Sequence, residues 1–307
     1  MSLEAFLETI SDPSAKVLAA DLMEVSDLSP AELGRFAKVW FTIPVERQRS
    51  IITTMVEVPE DNPEMDFCAI FKMCLKDKDE VVLKKAIEGL WEYEDRSIIP
   101  GLVQVLRSSK GPMVRATAAS ALGKFSLLAQ EGNILAKDSN FIRDNLMAVL
   151  QDSNEHQEVW RRSLEAVAPF NTPDIRQYIC SAYDSDDLKL KSSSIYAMGR
   201  TGETSWLPLL IKELQSQQPA IRYETANACG DLGDEDMVPY LLSLLQDDDY
   251  QVQLAGINAL GKIGGPLAKR ALLRCIKEGD VTLEEAARAA LENLELIEDP
   301  MSFPSKF

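Results

Sequence analysis

Two segments, AIRYETANACGDLG (Ala220–Gly233) and YQVQLAGINALGKIG (Tyr250–Gly264), carry one pattern. An aliphatic residue is followed four positions later by a small residue, four positions after that by an apolar residue, and then by glycine. The pattern recurs along the chain, and its first aliphatic residues, called anchors below, are Val82, Val114, Val159, Leu190, Ile221, Val252 and Leu283. The last four steps between anchors are each 31 residues, a fixed period typical of proteins whose repeats stack side by side.

Each repeat predicts two helices. From the anchor onward, apolar or small residues recur with helical spacing, and this segment is called helix B. Three positions before the anchor lies a residue suited to cap the helix, and the members of this column are Asp79, His156, Asp187, Gln218, Asp249 and Asp280. Gly202, Gly233 and Gly264 suit the left-handed turn that ends a helix. Pro208 and Pro239 then predict the first turn of the next, leucine-rich helix, called helix A.

The chain before the repeats predicts an N-terminal helical cap at residues 1–62. Ser29-Pro30 with Glu32 predicts a capping box, and Asp12-Pro13 and Pro44 are further predicted helix starts. Because no segment alternates polar and apolar residues as a strand would, we expect no sheet. The predicted fold is therefore all-α, an α-solenoid, or superhelix, of about seven stacked helix hairpins.

The predicted domains are the cap, a repeat region at 63–298 and a C-terminal tail at 299–307. The step from Val114 to Val159 is 45 residues instead of 31, which predicts an insertion at 126–140. Leu127, Leu128, Ile134 and Leu135 of the insertion either contact a partner or pack back on the neighbouring hairpin. The tail, DPMSFPSKF, lacks helical periodicity and carries Phe303 and Phe307.

Composition excludes several classes of function. The formal charge of −17 opposes an extended grip on a nucleic-acid backbone. No run of 18 uncharged apolar residues predicts a membrane span, and no secretory signal precedes the helices. Five cysteines without a CxxC pair suit buried thiols in a reducing compartment, so we expect a cytoplasmic protein.

The template V-R-x-x-A-x-x-A-L-G, seen at Val114–Gly123 with an acidic turn before comparable helices, resembles HEAT repeats. It is most similar to the short repeats of phycobilin lyases, and the resemblance extends from Pro63 to Leu296. The resemblance implies an α-solenoid that binds another protein. It also leaves an alternative open, a phycobilin lyase or isomerase-like protein or an accessory chaperone of that class.

The residues predict no catalytic, cofactor-binding or metal-binding site. A single histidine, His156, cannot supply the ligands of a di-iron centre such as that of deoxyhypusine hydroxylases, which the fold also resembles. The run Asp247–Asp249 lacks the spacing of an EF-hand, and GINALGKI (256–263) lacks the serine or threonine of a phosphate loop. We therefore expect a non-catalytic scaffold or adaptor.

The expected partner-binding surface is the solvent-facing side of helix B, on the concave wall of the solenoid. This side is formed by the third, sixth and tenth residues after each anchor, and Tyr223 lies beside it. Ser193 and Ala255 are also members of this set, at the third position. The candidate residues are Arg162, Glu165, Tyr196, Arg200, Tyr223, Glu224, Asn227, Asp231, Asn258 and Lys262. Tyrosine and arginine are frequent at binding hot spots. The acidic stretch 231–249 favours a partner with a basic patch.

The four tryptophans, Trp40, Trp91, Trp160 and Trp206, share no repeat position and are predicted to pack in the core.

Overall fold

The computed structural model describes residues 2–61, 65–108, 110–278 and 280–298. Within these ranges all regular structure is helical, and no strand occurs, which confirms the all-α prediction. The chain forms two compact units, Met1–Ala166 and Val167–Phe307. Each unit is a solenoid of stacked helix pairs. The domain limits drawn at residues 62 and 298 from the sequence stay a prediction, and the tail 299–307, with Phe303 and Phe307, lies outside the described residues.

The first unit begins with helices that precede the repeats and continues with three helix pairs, α4/α5, α6/α7 and α8/α9. Its helices are α1 (Leu3–Ser11), α2 (Pro30–Trp40), α3 (Val45–Asp61), α4 (Cys68–Cys74), α5 (Glu80–Gly89), α6 (Ile99–Leu106), α7 (Pro112–Gln130), α8 (Ala136–Gln151) and α9 (Gln157–Val167). Two 3₁₀ helices lie at Ala19–Val25 and Arg96–Ile98.

The second unit contains four helix pairs, α10/α11, α12/α13, α14/α15 and α16/α17. Its helices are α10 (Pro173–Tyr183), α11 (Leu188–Arg200), α12 (Leu207–Glu213), α13 (Pro219–Leu232), α14 (Val238–Leu241), α15 (Tyr250–Ile263), α16 (Gly265–Glu278) and α17 (Val281–Glu298). The 3₁₀ helices are Ala168–Phe170, Thr204–Trp206, Glu235–Met237 and Leu242–Gln246. The second helix of each pair is the predicted helix B.

Side-chain caps fix where the B helices begin. Asp79, Asp187, Asp249 and Asp280 each accept two backbone N–H bonds from the first turn that follows. His156, in the same column, accepts the N–H of Glu158 on its Nδ1 atom at 3.1 Å, so it acts as a cap. Gln218 makes no capping bond with its side chain. These caps satisfy backbone donors that the first helical turn leaves without partners.

Glycines allow the B helices of the second unit to pack closely. Gly199 of α11 lies so near α13 that an added Cβ would be 2.7 Å from the Cα of Ala228. The same contact recurs one repeat later, where a Cβ on Gly230 would lie 3.0 Å from the Cα of Ala259. These glycines occupy the position that ends the sequence template, 31 residues apart. Glycine at this position therefore allows adjacent helices to approach closely. A separate set of glycines, Gly202, Gly233 and Gly264, has positive φ in the turns that end the helices.

The structure corrects one local prediction, confirms another and clarifies a third. Asp12 is not a helix start, because it ends α1 and its carboxylate accepts the N–H and hydroxyl of Ser14 in a turn. Ser29 and Glu32 do form the predicted capping box. The inserted residues extend α7 to 19 residues and begin α8. Leu127 and Leu128 are half-buried, whereas Leu135 is exposed.

We expect Gly199→Ala to destabilise the protein although alanine favours helices. Overpacking costs about 1–3 kcal/mol, which exceeds the gain of about 1 kcal/mol in helix propensity. Gly34→Ala is the matched control, since Gly34 lies in α2 with no atom within 4 Å of the added Cβ. It should raise stability by about 0.5–1 kcal/mol. Denaturant unfolding followed by circular dichroism measures both, and an equal stability of the two variants would contradict the close packing.

Removing one cap should shorten or fray α15. Asp249→Ala loses the acceptor for the N–H groups of Gln251 and Val252, and we expect the free energy of unfolding to fall by about 1 kcal/mol. Asp249→Asn keeps an oxygen at that place and should stay within about 0.5 kcal/mol of the wild type. Denaturant unfolding measures both variants. An equal loss of unfolding free energy in the two would show that the charge of Asp249 matters and its capping hydrogen bonds do not.

Candidate protein-binding surface

Eight of the ten candidate residues lie on three consecutive B helices of the second unit. Tyr196 and Arg200 belong to α11, Asn258 and Lys262 belong to α15, and the others, Tyr223, Glu224, Asn227 and Asp231, belong to α13. None of the eight is fully buried, and Tyr223 is 40% exposed. The term B face is used below for these eight residues.

One carboxylate links the three helices of the B face. The Nζ atom of Lys262 donates to Oδ1 of Asp231 at 2.7 Å, and Nη1 of Arg200 lies 3.6 Å from the Oδ2 atom of Asp231. The guanidinium of Arg200 in turn lies 5.8 Å from the centre of the Tyr196 ring. Side chains from α11, α13 and α15 are therefore held in one arrangement, because each contacts a group on the neighbouring helix or turn.

The predicted face is narrower than the sequence spacing suggested. Ser193 and Ala255, at the third position after their anchors, are each only 1% exposed. This position borders the buried stripe and is covered in α11 and α15, whereas Glu224 at the same position of α13 stays half-buried. Positions six and ten remain accessible, since they lie farther round the helix from the core.

Arg162 and Glu165 lie on α9, in the first unit, and form a separate network. The guanidinium of Arg162 donates to Glu165 at 2.8 Å and to Glu158 at 3.1 Å, while Arg161 donates to Glu158 at 2.6 Å. Burial raises the pKa of Glu158, but the two guanidinium groups outweigh it, and the pKa is lowered overall. The charges of α9 thus neutralise one another within the helix.

Two carboxylates of the acidic run Asp247–Asp249 form hydrogen bonds within the protein. Arg222 of α13 donates to both carboxylate oxygens of Asp247 at 2.6 Å and also to the carbonyl oxygen of Ser216 at 2.7 Å. Asp247 accepts the N–H of Asp249, which itself caps α15. The hydrogen bonds from Arg222 lower the pKa of Asp247. The described residues contain no group of three or more histidine, cysteine or acidic side chains placed to hold a metal ion.

The cysteines that are buried are poor nucleophiles. Burial raises the pKa of the Cys229 thiol to about 12, and burial likewise raises the pKa of Cys74. A thiol with such a pKa stays protonated at neutral pH, and the thiolate is the reactive form. None of the described helices has the length and apolar character needed to cross a bilayer.

One tryptophan departs from its predicted role. Trp40 and Trp206 are buried, and their indole N–H groups donate to Asp77 and Thr201. Trp160 is half-buried and donates to the carbonyl of Leu150. Trp91, however, is 51% exposed and lies in the turn that follows α5.

The structure also contains a groove that sequence reasoning missed. It has a volume of about 500 Å³ and lies in the second unit between the 3₁₀ helix Leu242–Gln246, α15 and α16. Its lining includes the apolar residues Leu245, Ile257 and Leu267 and the basic residues Arg270 and Arg274. The groove depends on how neighbouring repeats pack, and no motif marks its residues in the sequence.

Comparisons with known proteins agree with this architecture. A family model described as HEAT repeats matches residues 69–137 and 207–292, just over half of the chain. No curated protein sequence matches the chain.

Three solved structures illustrate how distant the structural likenesses are. The complex of CpcE and CpcF of phycocyanin lyase from Nostoc matches at 16% identity, over 74% of this chain and 93% of that one, with a TM-score of 0.48. Human deoxyhypusine hydroxylase matches at 18% identity over 95% and 96%, with a TM-score of 0.38. Kap95p, in a structure with RanGDP, matches at 15% identity over 95% and 41%, with a TM-score of 0.44. None of these likenesses transfers an activity.

Two carboxylates of the second unit should differ sharply when neutralised. Asp247 is 8% exposed and doubly bonded to Arg222, so Asp247→Asn should lower the free energy of unfolding by about 2–3 kcal/mol at pH 7. Asp231→Asn removes contacts to Lys262, which is 55% exposed, and should cost less than about 1 kcal/mol. Denaturant titrations of both variants test this contrast.

The pH dependence provides an independent check on Asp247. Its pKa is lowered in the folded protein, so its contribution to stability is complete above the unfolded pKa of about 4 and is lost as the pH falls through the lower folded value. The wild type should therefore lose stability below about pH 4 more steeply than Asp247→Asn does. If the stabilities of the two proteins fell in parallel with pH, ionised Asp247 would not be the stabilising group.

Proposed function

The chain belongs to the HEAT-repeat family, and on that premise we propose that it is a non-catalytic scaffold or adaptor that binds another protein on the B face. The observation that carries this proposal is the arrangement of Tyr196, Arg200, Asp231 and Lys262, which spans three consecutive repeats. Stacked repeats offer continuous surfaces that a partner can contact at several points.

The B face has the physical character of a binding surface. Tyr196 and Tyr223 supply aromatic area, and Arg200 supplies a planar group with several donors. Arg200 lies 3.6 Å from Asp231 of the neighbouring helix α13 and its guanidinium lies over the Tyr196 ring, so these two side chains are positioned before binding. Such preorganisation reduces the conformational entropy lost on association.

A catalytic role has little support among the described side chains. The single histidine caps a helix, and the buried thiols are held protonated. A phycobilin lyase-like protein remains the alternative function that the sequence resemblance suggested. That alternative predicts that the purified protein binds a linear tetrapyrrole and becomes coloured, whereas a scaffold stays colourless and enriches a polypeptide.

The proposal is tested by affinity capture from the source cell, comparing the wild type with Arg200→Glu/Tyr223→Ala. We expect a polypeptide retained by the wild type and reduced at least about tenfold by the double variant, because a loss of about 1.4 kcal/mol at a hot spot is a factor of ten. Arg274→Glu, on α16 and 68% exposed, is the control and should retain the polypeptide.

Equal retention by all three proteins would place the binding surface elsewhere. Retention of nothing by the wild type, together with tetrapyrrole binding, would favour the alternative. The folded state of each variant is checked first by thermal unfolding, since the substituted side chains lie outside the core.

A further inference from the structure

We infer that the partner segment on the B face is an extended peptide that carries an acidic side chain. This inference rests on the proposed function and specifies its partner. Three features of the second unit support it: two asparagines without intramolecular hydrogen bonds, a pair of cations that share one carboxylate, and the direct packing of the helices that carry them.

Asn227 and Asn258 lie at the same position of consecutive repeats, on α13 and α15. Within the described part of the chain, neither side-chain amide has a hydrogen-bond partner, although Asn227 is half-buried. Asparagine in a helix interior is less favourable than alanine by roughly 0.5–0.7 kcal/mol. Neither side-chain amide offsets this cost with an intramolecular hydrogen bond in the described part of the chain, so both are available to an external group.

An asparagine amide offers a donor and an acceptor, which match the carbonyl oxygen and the N–H of a peptide bond. In an extended segment, the main-chain groups are free to pair with such side chains. A helical partner already uses its backbone groups internally and could reach the two amides only through its side chains. Because α13 and α15 pack in direct contact, through Gly230 and Ala259, one segment can meet both amides.

The charges beside the two asparagines determine which charge a side chain of the bound peptide should carry. Within the row formed by Arg200, Asp231 and Lys262, two cations share one carboxylate, so this row carries a net positive charge. The other carboxylate of the B face, Glu224, lies about two helical turns before Asp231 on α13. Lys262 is 55% exposed and Arg200 is 25% exposed, whereas Asp231 is 18% exposed. A partner carboxylate can therefore accept charge-assisted hydrogen bonds from both cations, and a basic side chain would be repelled there. The formal charge of −17 and the acidic stretch 231–249 favour a basic patch elsewhere on the partner, and because salt screens charges beyond about 8–10 Å they do not oppose an acidic side chain at this row.

The test is a selection from a library of random 12-residue peptides displayed on phage, carried out on the full chain. We expect the enriched peptides to contain aspartate or glutamate at a shared position. A synthetic peptide of the enriched sequence should bind at least about tenfold more tightly than its Asn or Gln counterpart, because a charge-assisted hydrogen bond contributes roughly 1.5–3 kcal/mol.

Recognition of the main chain is tested with the same peptide. Asn227→Ala/Asn258→Ala should fold at least as stably as the wild type, since alanine favours helices, yet bind the peptide at least about tenfold more weakly. Asn140→Ala, on the exposed surface of α8, is the control and should bind normally. N-methylation of alternate peptide bonds should also abolish binding.

Enrichment of basic peptides, of peptides that the double variant binds equally well, or of no peptide at all would overturn this inference. The scaffold proposal would survive such results if capture of the polypeptide from the source cell is still lost in Arg200→Glu/Tyr223→Ala. Loss of this dependence on Arg200 and Tyr223 would overturn the scaffold proposal itself, so the two failures can be distinguished.

Discussion

The contact between a glycine of one B helix and an alanine of the next is the constraint on which the second unit depends. Gly199, Gly230 and Gly261 face Ala228, Ala259 and Ala290, respectively; an added Cβ would clash at Gly199 and Gly261 and would be tightly packed at Gly230. A larger side chain would push the helices apart, and the bond from Lys262 to Asp231 spans that separation. The spacing of the backbones therefore determines whether the side chains of the B face can meet.

The ends of the helices are fixed by different interactions. Acidic caps set the first turn of most B helices, and Arg222 connects α13 to the turn that precedes α15 through Asp247. Because these contacts repeat with the sequence period, side chains at equivalent positions form rows across adjacent helices. A row of this kind suits recognition of a segment that is itself repetitive along its length, as an extended main chain is.

The period and the template residues were sufficient to predict the helix pairs, every cap in the column except Gln218, and the left-handed glycines, since these depend on neighbours within one repeat. The burial of Ser193 and Ala255 was not predictable, because it depends on how closely the next repeat approaches. The role of Gly199 was equally hidden, as a glycine in a helix pattern does not reveal what lies opposite. Tyr196, Arg200, Asp231 and Lys262 were expected on one surface, but only the structure shows that Asp231 connects the two cations.

The measurement that tests the B face most directly is site-specific photo-crosslinking in the source cell. A p-benzoylphenylalanine residue, which preserves an aromatic ring, is placed at Tyr223 on α13 or at Leu273 on α16, which is 46% exposed. If the B face binds the partner, the probe at 223 forms a discrete crosslinked product with another polypeptide and the probe at 273 does not. A product from position 273 alone would contradict the account, because it would place the partner on the first helices of the repeats.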